Sequence, residues 1–413
     1  MRWFLFIIVY ILVDIYAFQA VRTLTKNVWI HGIYVLISLA ILGAIIYQVS
    51  NLGSGKLMNI NTMYVFGLFL TIFVPKLLLV IFMFSEDIGR FFVGLFMKVA
   101  GSNETPFMAS RRKFVSTIAL GIAAIPFASL LYGMIQGKYN YKVLKYALEF
   151  EDLPDEFDGF TLTQISDVHA GSFDNRNKVE YAINLINEQQ SDIIVLTGDL
   201  VNNVAEEMDD WKGLFSTLKA QQGVYSILGN HDYGDYVKWN SASEQAENLK
   251  RLKNIQREMG WDLLLNENRY LHKNGQKIAI VGVENWGENG FKQAGDLDKA
   301  TAGISDKDFK ILLSHDPSHW QSKIKEDPRH FHLTLSRHTH GMHFGIEIPG
   351  IFKWSPIKYR YENWAGIYKD FGRYINVNRG FGFLGYPGRV GIWPEITVIQ
   401  LKKKSRGSTN KMS

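Results

Sequence analysis

The chain contains no cysteine. Disulfide bonds and thiolate metal sites are therefore excluded, and packing alone must stabilise the protein in whatever compartment it occupies. Charge of one sign is not in excess either. A net charge of +5 on 413 residues is modest, and much of it lies beside apolar runs or in the tail Lys402, Lys403, Lys404 and Arg406. This gives no footing for nucleic-acid binding, and such a tail reads as a solvated end. Within the first third, charge is sparse inside four apolar runs, at about Trp3 to Ala20, Val28 to Val49, Met63 to Phe84 and Phe114 to Tyr132.

Each run is long enough to cross a bilayer core of about 30 Å as a helix of roughly 20 residues, so four membrane helices are expected. Phe91 to Ala100 is too short to span and is expected at the interface or packed beside its neighbour. Charged residues inside spans are costly and therefore informative. Asp14 in the first span and Lys76 in the third are expected to pair across the bundle, and Pro75 to bend its helix. Lys and Arg in short loops favour the cytoplasm. Seven of them, Arg22, Lys26, Arg90, Lys98, Arg111, Arg112 and Lys113, stand on one side, against five, Arg2, Lys56, Lys138, Lys142 and Lys145, on the other. That bias places whatever follows the fourth helix outside the cytoplasm. Ser110-Arg111-Arg112-Lys113-Phe114-Val115 is similar to a twin-arginine export signal, and a pair of arginines anchoring a helix at the cytoplasmic face predicts the same topology.

The remaining two-thirds are of another kind. Five short stretches carry metal-seeking side chains in order: Asp167-Val168-His169, Gly198-Asp199, Gly229-Asn230-His231-Asp232, Ser314-His315-Asp316 and His338-Thr339-His340. Each follows an apolar, β-branched run, namely Phe160 to Ile165, Ile193 to Leu196, Val224 to Leu228, Ile311 to Leu313 and Phe331 to Leu335. Such runs, bounded by polar or glycine residues, read as buried strands. Between the first two, Val179, Ile183, Leu185 and Ile186 recur at roughly helical spacing within Lys178 to Gln189. A strand, helix, strand alternation implies an α/β core with much of its sheet parallel, and open α/β sheets collect ligands at the carboxyl ends of their strands.

The stretches offer two aspartates, an asparagine and four histidines, enough to hold two divalent cations with Asp199 shared. Two cations about 3.5 to 4 Å apart need an anionic bridge to offset their repulsion, and open positions for substrate and an activated water. Mixed carboxylate and imidazole ligation suits Mn, Fe or Zn better than Ca or Mg, with Mn the first expectation. That is the toolkit of metal-assisted phosphoester hydrolysis.

The five stretches resemble the calcineurin-like metallophosphoesterase superfamily, whose pattern is D-x-H, G-D, G-N-H-D/E, a lone His and G-H-x-H. The resemblance covers roughly residues 146 to 402, and the helices ahead of it look like a membrane-anchored bacterial branch. It implies a four-layer α/β/β/α sandwich of two packed sheets, preceded here by the four-helix transmembrane region. Carried over position by position, the first metal would be held by Asp167, His169, Asp199 and His340, and the second by Asp199, Asn230, His315 and His338. His231 would stabilise the transition state and protonate the leaving oxygen, oriented by Asp232. The chain departs from the pattern at Arg337, where the family has Gly, and at His343, where Gln is common. Arg337 could crowd the second metal, reach toward phosphate or point away at the surface, and Arg379 and Arg389 are further candidates for contact with the substrate phosphate. His272, His319, His330 and His332 fit no slot.

After the last ligand the chain is crowded with aromatics and glycines, among them Phe344, Phe352, Trp354, Tyr359, Tyr361, Trp364 and Tyr368. These read either as core with glycine-allowed turns or as a flap that accommodates acyl chains or dips into a membrane interface. The expected organisation is a transmembrane region over 1–135, a linker over 136–150, the metallophosphoesterase domain over 151–402 and a basic disordered tail over 403–413. The expected protein is a membrane-anchored, dinuclear-metal phosphoesterase of a bacterial cell membrane, its catalytic domain on the non-cytoplasmic side. Tethering favours a lipid or lipid-linked substrate. The alternative is a noncatalytic metal-binding receptor or scaffold that keeps the fold, but it predicts missing ligands and none is missing. A third, transport through the helices with the domain as regulator, is disfavoured by the sparse charge of the spans.

Overall fold

The chain divides into two units, Met1–Ile135 and Gln136–Ser413. A computed structural model describes residues 2–53, 58–100, 109–288, 290–338, 340–348 and 351–404, apart from the side chains of residues 2, 53, 109–111 and 340. The tail from residue 405 onward lies outside them, as do the side chains of Ser110 and Arg111 in the twin-arginine-like segment.

The first unit is four helices: α1 (Arg2–Leu24), α2 (Val28–Gly53), α3 (Ile60–Val99) and α4 (Ala109–Ile135), each long and apolar enough to cross a membrane. Alanines let backbones approach: Ala17 and Ala20 of α1 and Ala119 and Ala123 of α4 pack with Leu79 and Met83 of α3. Lys76 Nζ donates to Asp14 Oδ1 and to Ser38 Oγ, each at 2.5 Å, and the Tyr34 hydroxyl donates to the Asp14 backbone carbonyl at 3.0 Å. Three helices are thereby joined through one ion pair. Phe91 to Val99 is not a segment of its own. It continues α3, whose 40 residues span about 60 Å, roughly twice a bilayer core. The reason lies in Glu86, Asp87 and Arg90, which interrupt the apolar run but pair at helical spacing, Arg90 with Glu86 and with Asp87, and so carry the helix onward.

The second unit holds two six-stranded sheets. One runs in the order β1 (Lys142–Phe150), β14 (Glu395–Lys403), β2 (Thr161–Ile165), β3 (Ile193–Thr197), β4 (Val224–Ile227) and β5 (Asp262–Leu263). Only the β14–β2 pairing is antiparallel. The other runs β12 (Gly366–Asp370), β13 (Arg373–Val377), β9 (Leu333–Ser336), β8 (Lys310–Leu313), β7 (Gln276–Gly282) and β6 (Glu267–Lys273), parallel except at its two edge pairings. Strand alternation explains the layers. Ile280, Ile311, Leu313 and Leu333 face the first sheet and join Leu162, Val195 and Ile227 in one core. Val281, Leu312 and Val377 face the other way and pack under Trp320 and Leu297 of the outer helices. Across the first sheet, α5 (Arg176–Asn187) is capped by Asn175 and buries Val179, Ala182, Ile183 and Ile186. A separate hairpin, β10 (Ile346–Ile348) with β11 (Phe352–Trp354), stands outside both sheets.

Candidate metal centre

The loops after β2, β3, β4, β8 and β9 carry the five motifs, so both sheets deliver polar residues from the carboxyl ends of parallel strands. Delivery strains the backbone: Asp167, His169, Asp199 and His338 all have positive φ, between 47° and 71°. Non-glycine residues hold that conformation at a cost of about 1 kcal/mol or more each, and such strain concentrates at functional sites.

Two groups of side chains result, one of Asp167, His169 and Asp199, the other of Asp199, His315 and His338, each with ligand atoms within 4.8 Å of one another. Asp199 belongs to both. Its Oδ1 accepts the His231 backbone N–H at 2.9 Å, which turns Oδ2 toward the histidines. Oδ2 lies 3.8 Å from His169 Nε2 and 3.2 Å from His315 Nε2, fully buried. His315 donates Nδ1–H to the Thr197 carbonyl at 2.7 Å, the second hydrogen bond that leaves Nε2 as a lone-pair ligand. Asn230 Oδ1 lies 2.8 Å from His338 Nδ1 and 3.2 Å from His315 Nε2. Close approach is enforced at Gly229, where a Cβ would stand 2.2 Å from Asp199 Oδ1. The side chain of His340 lies outside the described residues.

The electrostatics call for positive charge. Burial works against ionisation of Asp199, yet the His315 and His231 imidazoles hold its carboxyl far below the usual range. His315, which burial alone would depress, is pushed up to about 10 by Asp199 and Asp167. His338 is pushed down to about 4, mainly by burial, and is neutral. Carboxylates, neutral imidazoles and an amide oxygen form a donor set that fits divalent transition ions, which would take the place of the His315 proton.

His231 and Asp232 do not form the expected pair. His231 Nδ1 is 2.6 Å from the Asn202 carbonyl, so that backbone group orients the ring. Asp232 collects backbone N–H groups of Asp199, Leu200, Val201 and Gly229 at 2.8 to 3.3 Å, tying the loops after β3 and β4 together. Burial and then Asp199 push its pKa up to about 7, against those N–H groups.

The three arginines are not where substrate contact requires. Arg337 is fully buried, its Nε 3.0 Å from Asp167 Oδ2 and its Nη1 donating to the Asn378 carbonyl at 2.8 Å. With Ser166 it occupies Oδ2 and leaves Oδ1 facing His169 Nε2 at 3.9 Å. Room comes from Gly380 (φ 83°), where a Cβ would stand 2.4 Å from Arg337 Nη2. Arg379 pairs with Glu395 and Glu347. Arg389, also fully buried, donates to the carbonyls of Arg379, Gly380 and Gly382. His343 is buried, with its carbonyl accepting from Val390 N–H.

Of the rim around the centre, sequence reasoning named Tyr361 among the crowded aromatics but missed Tyr236, Phe291 and Arg360. Tyr236 lies 4.5 Å from the His231 ring and accepts from Asn230 Nδ2 at 2.7 Å, while Phe291 and Tyr361 lie 4.7 and 5.9 Å from the His338 ring. The Arg360 guanidinium sits over Phe291 and Tyr361, at 5.9 and 5.5 Å. It is exposed, beside a cleft of about 330 Å³ lined also by Glu288, Gln321 and Asn363. No spacing or motif announces these positions. A third group, Asp152, His330 and His332, also gathers ligand atoms. Arg373 Nε donates to His330 Nδ1 at 3.3 Å and Lys310 N–H to His332 Nδ1 at 3.0 Å. Both rings therefore carry their proton on Nε2, and a protonated nitrogen cannot ligate a metal.

Two family models match, a calcineurin-like phosphoesterase transmembrane domain over residues 1–138 and a calcineurin-like phosphoesterase over residues 160–343. The chain belongs to the calcineurin-like phosphoesterase family. It is therefore a phosphoester hydrolase of a family that uses divalent metals, and an integral membrane protein. Among curated relatives of this family it is 29% identical over 302 residues to an uncharacterised metallophosphoesterase, YkuE, of Bacillus subtilis, covering 71% of this chain and 98% of the relative. It is 26% identical over 298 residues to a transmembrane protein with metallophosphoesterase domain of Danio rerio, covering 70% of this chain and 63% of that one.

Proposed function

We propose that the protein is a membrane-anchored phosphoesterase with a dinuclear metal centre, acting on a lipid or lipid-linked phosphoester or pyrophosphate. The observation that carries this is the double membership of Asp199, whose Oδ2 stands between His169 Nε2 and His315 Nε2. Asp167, His169 and Asp199, joined by His340, would hold one ion, and Asp199, Asn230, His315 and His338 the other, with Mn favoured over Fe or Zn. When bound, the ions would supply Lewis-acid charge to the phosphoryl oxygens and lower the pKa of a water.

The chain's own residues do the rest. His231, as imidazolium, would donate from Nε2 to the leaving oxygen while the Asn202 carbonyl accepts from Nδ1–H and supports the cation. Asp232 is a positioning residue, holding the loops that bear Asp199 and His231 in register. Arg337 offsets the buried charge of Asp167. Arg360 and the cleft beside Tyr361 would receive the part of an anionic substrate that extends beyond the reacting phosphate. The basic residues Arg112 and Lys113 near the start of α4 favour a non-cytoplasmic catalytic domain in a bacterial cell membrane.

The test uses the full chain purified in detergent, supplied with Mn and offered an aryl phosphodiester, then a panel of phospholipids and lipid pyrophosphates. Turnover that disappears in Asp199→Asn and His231→Ala supports the reading. A fully metallated protein that turns over none of these substrates would instead favour a binding role.

A further inference from the structure

The hairpin β10–β11 is built inside out. Its register pairs Ile346 with Trp354, Glu347 with Lys353 and Ile348 with Phe352, so one face is apolar and the other charged. The charged face is the one engaged with the rest of the unit: Glu347 binds Arg379, and Lys353 Nζ donates to the Ala365 carbonyl at 2.6 Å. The apolar face is open, with Ile346 53%, Ile348 49% and Phe352 51% exposed and neighbouring Ile351 81%. Among the described residues of the second unit, ten large apolar side chains are exposed, and all but Tyr181, Tyr236 and Phe371 lie from Met342 to Tyr359.

The arrangement is fixed rather than loose. Ser355 Oγ donates to the Gly341 carbonyl at 2.7 Å and Gly345 N–H to the Val390 carbonyl at 2.9 Å, anchoring the hairpin at both ends. Gly391 (φ 71°) lets the Gly345 carbonyl lie against it, where a Cβ would be 2.0 Å away. An anchored hairpin whose Glu347 and Lys353 are tied back to Arg379 and the Ala365 carbonyl cannot fold its isoleucines away, so they need an apolar partner.

We propose that this face inserts into the interface of the bilayer that carries α1–α4. A bilayer is always within tether, because the chain passes from α4, ending at Ile135, to β1, starting at Lys142, without a long linker. Exposed isoleucines and Phe352, followed in the chain by exposed Lys358 over the Tyr359 ring, suit an anionic interface, where apolar side chains enter the acyl boundary and cations meet lipid phosphates. The inference is independent of which substrate the metal centre takes. Exposure divides the aromatics of this segment: Trp364 is core, whereas Phe344, Phe352 and Tyr359 are surface.

The absence of native cysteine makes the test clean. Full-length Ile351→Cys and, as reference, Tyr181→Cys are labelled with an environment-sensitive fluorophore and reconstituted in vesicles of phosphatidylcholine with phosphatidylglycerol. Both sites are exposed, so neither change disturbs packing. The label at 351 is expected to shift to the blue, to be quenched by nitroxide lipid, and to be about threefold or more less accessible to iodide than the label at 181. Lys358→Glu is expected to weaken that quenching. Equal iodide access at both sites would overturn the proposal, and so would shielding at 351 without nitroxide quenching, which would point to a protein partner or a second copy.

Discussion

Both units bury charged and polar side chains, but to opposite ends. In the helical unit Asp14, Ser38, Lys76 and Tyr34 close on one another across three helices, each group satisfying its neighbour. In the sheet unit Asp167, Asp199 and His315 are held from behind by Ser166 and Arg337, by the His231 backbone and by the Thr197 carbonyl. Their other atoms converge in front. Burial of charge therefore does not by itself mark a site. What marks it is polar atoms fixed on one side and aimed together on the other, at a backbone cost paid in positive φ.

Four predictions probe this contrast. Asp199→Asn removes the shared anion and is expected to lower phosphodiester turnover by ~10³-fold or more, with loss of bound metal measured by elemental analysis. His231→Ala is expected to cost ~10²–10⁴-fold in kcat with metal content unchanged, because the proposed role of the ring is proton transfer to the leaving oxygen and not metal ligation. In the helical unit, Lys76→Met leaves the half-buried Asp14 without its cation inside an apolar span and is expected to destabilise by up to about 3 kcal/mol in detergent melts. The double change Asp14→Leu with Lys76→Met should recover most of that loss and leave turnover per folded molecule unaltered; turnover lost in the double variant would break the contrast, making the helical knot part of the function. Smallest is Arg360→Gln, expected to raise KM about tenfold on an anionic lipid-linked substrate while sparing kcat, since the contact is made equally in ground and transition states.

Much of this was legible in the chain. The apolar runs ahead of Asp167, Asp199, Asn230, His315 and His338 are strands β2, β3, β4, β8 and β9 to within one or two residues, because short β-branched runs flanked by turn residues have few other solutions. The Asp14 and Lys76 pair was legible too, since two opposite charges in apolar spans have few other partners. What could not be read depends on direction in space. Nothing in sequence says that Arg337, Arg379 and Arg389 turn into the core toward Asp167, Glu395 and main-chain carbonyls. Nor could the Asn202 carbonyl be preferred over Asp232 as the partner of His231, because backbone acceptors have no signature. The length of α3 escaped because hydropathy stops at Glu86 while helical hydrogen bonding does not.

The most direct measurement is the metal content of purified full-length protein, wild type beside Asp199→Asn, by elemental mass spectrometry. The account predicts two transition ions per wild-type chain and the loss of at least one in the variant, since a single oxygen joins both groups. Wild type without transition metal, or a variant that retains both ions, would contradict it.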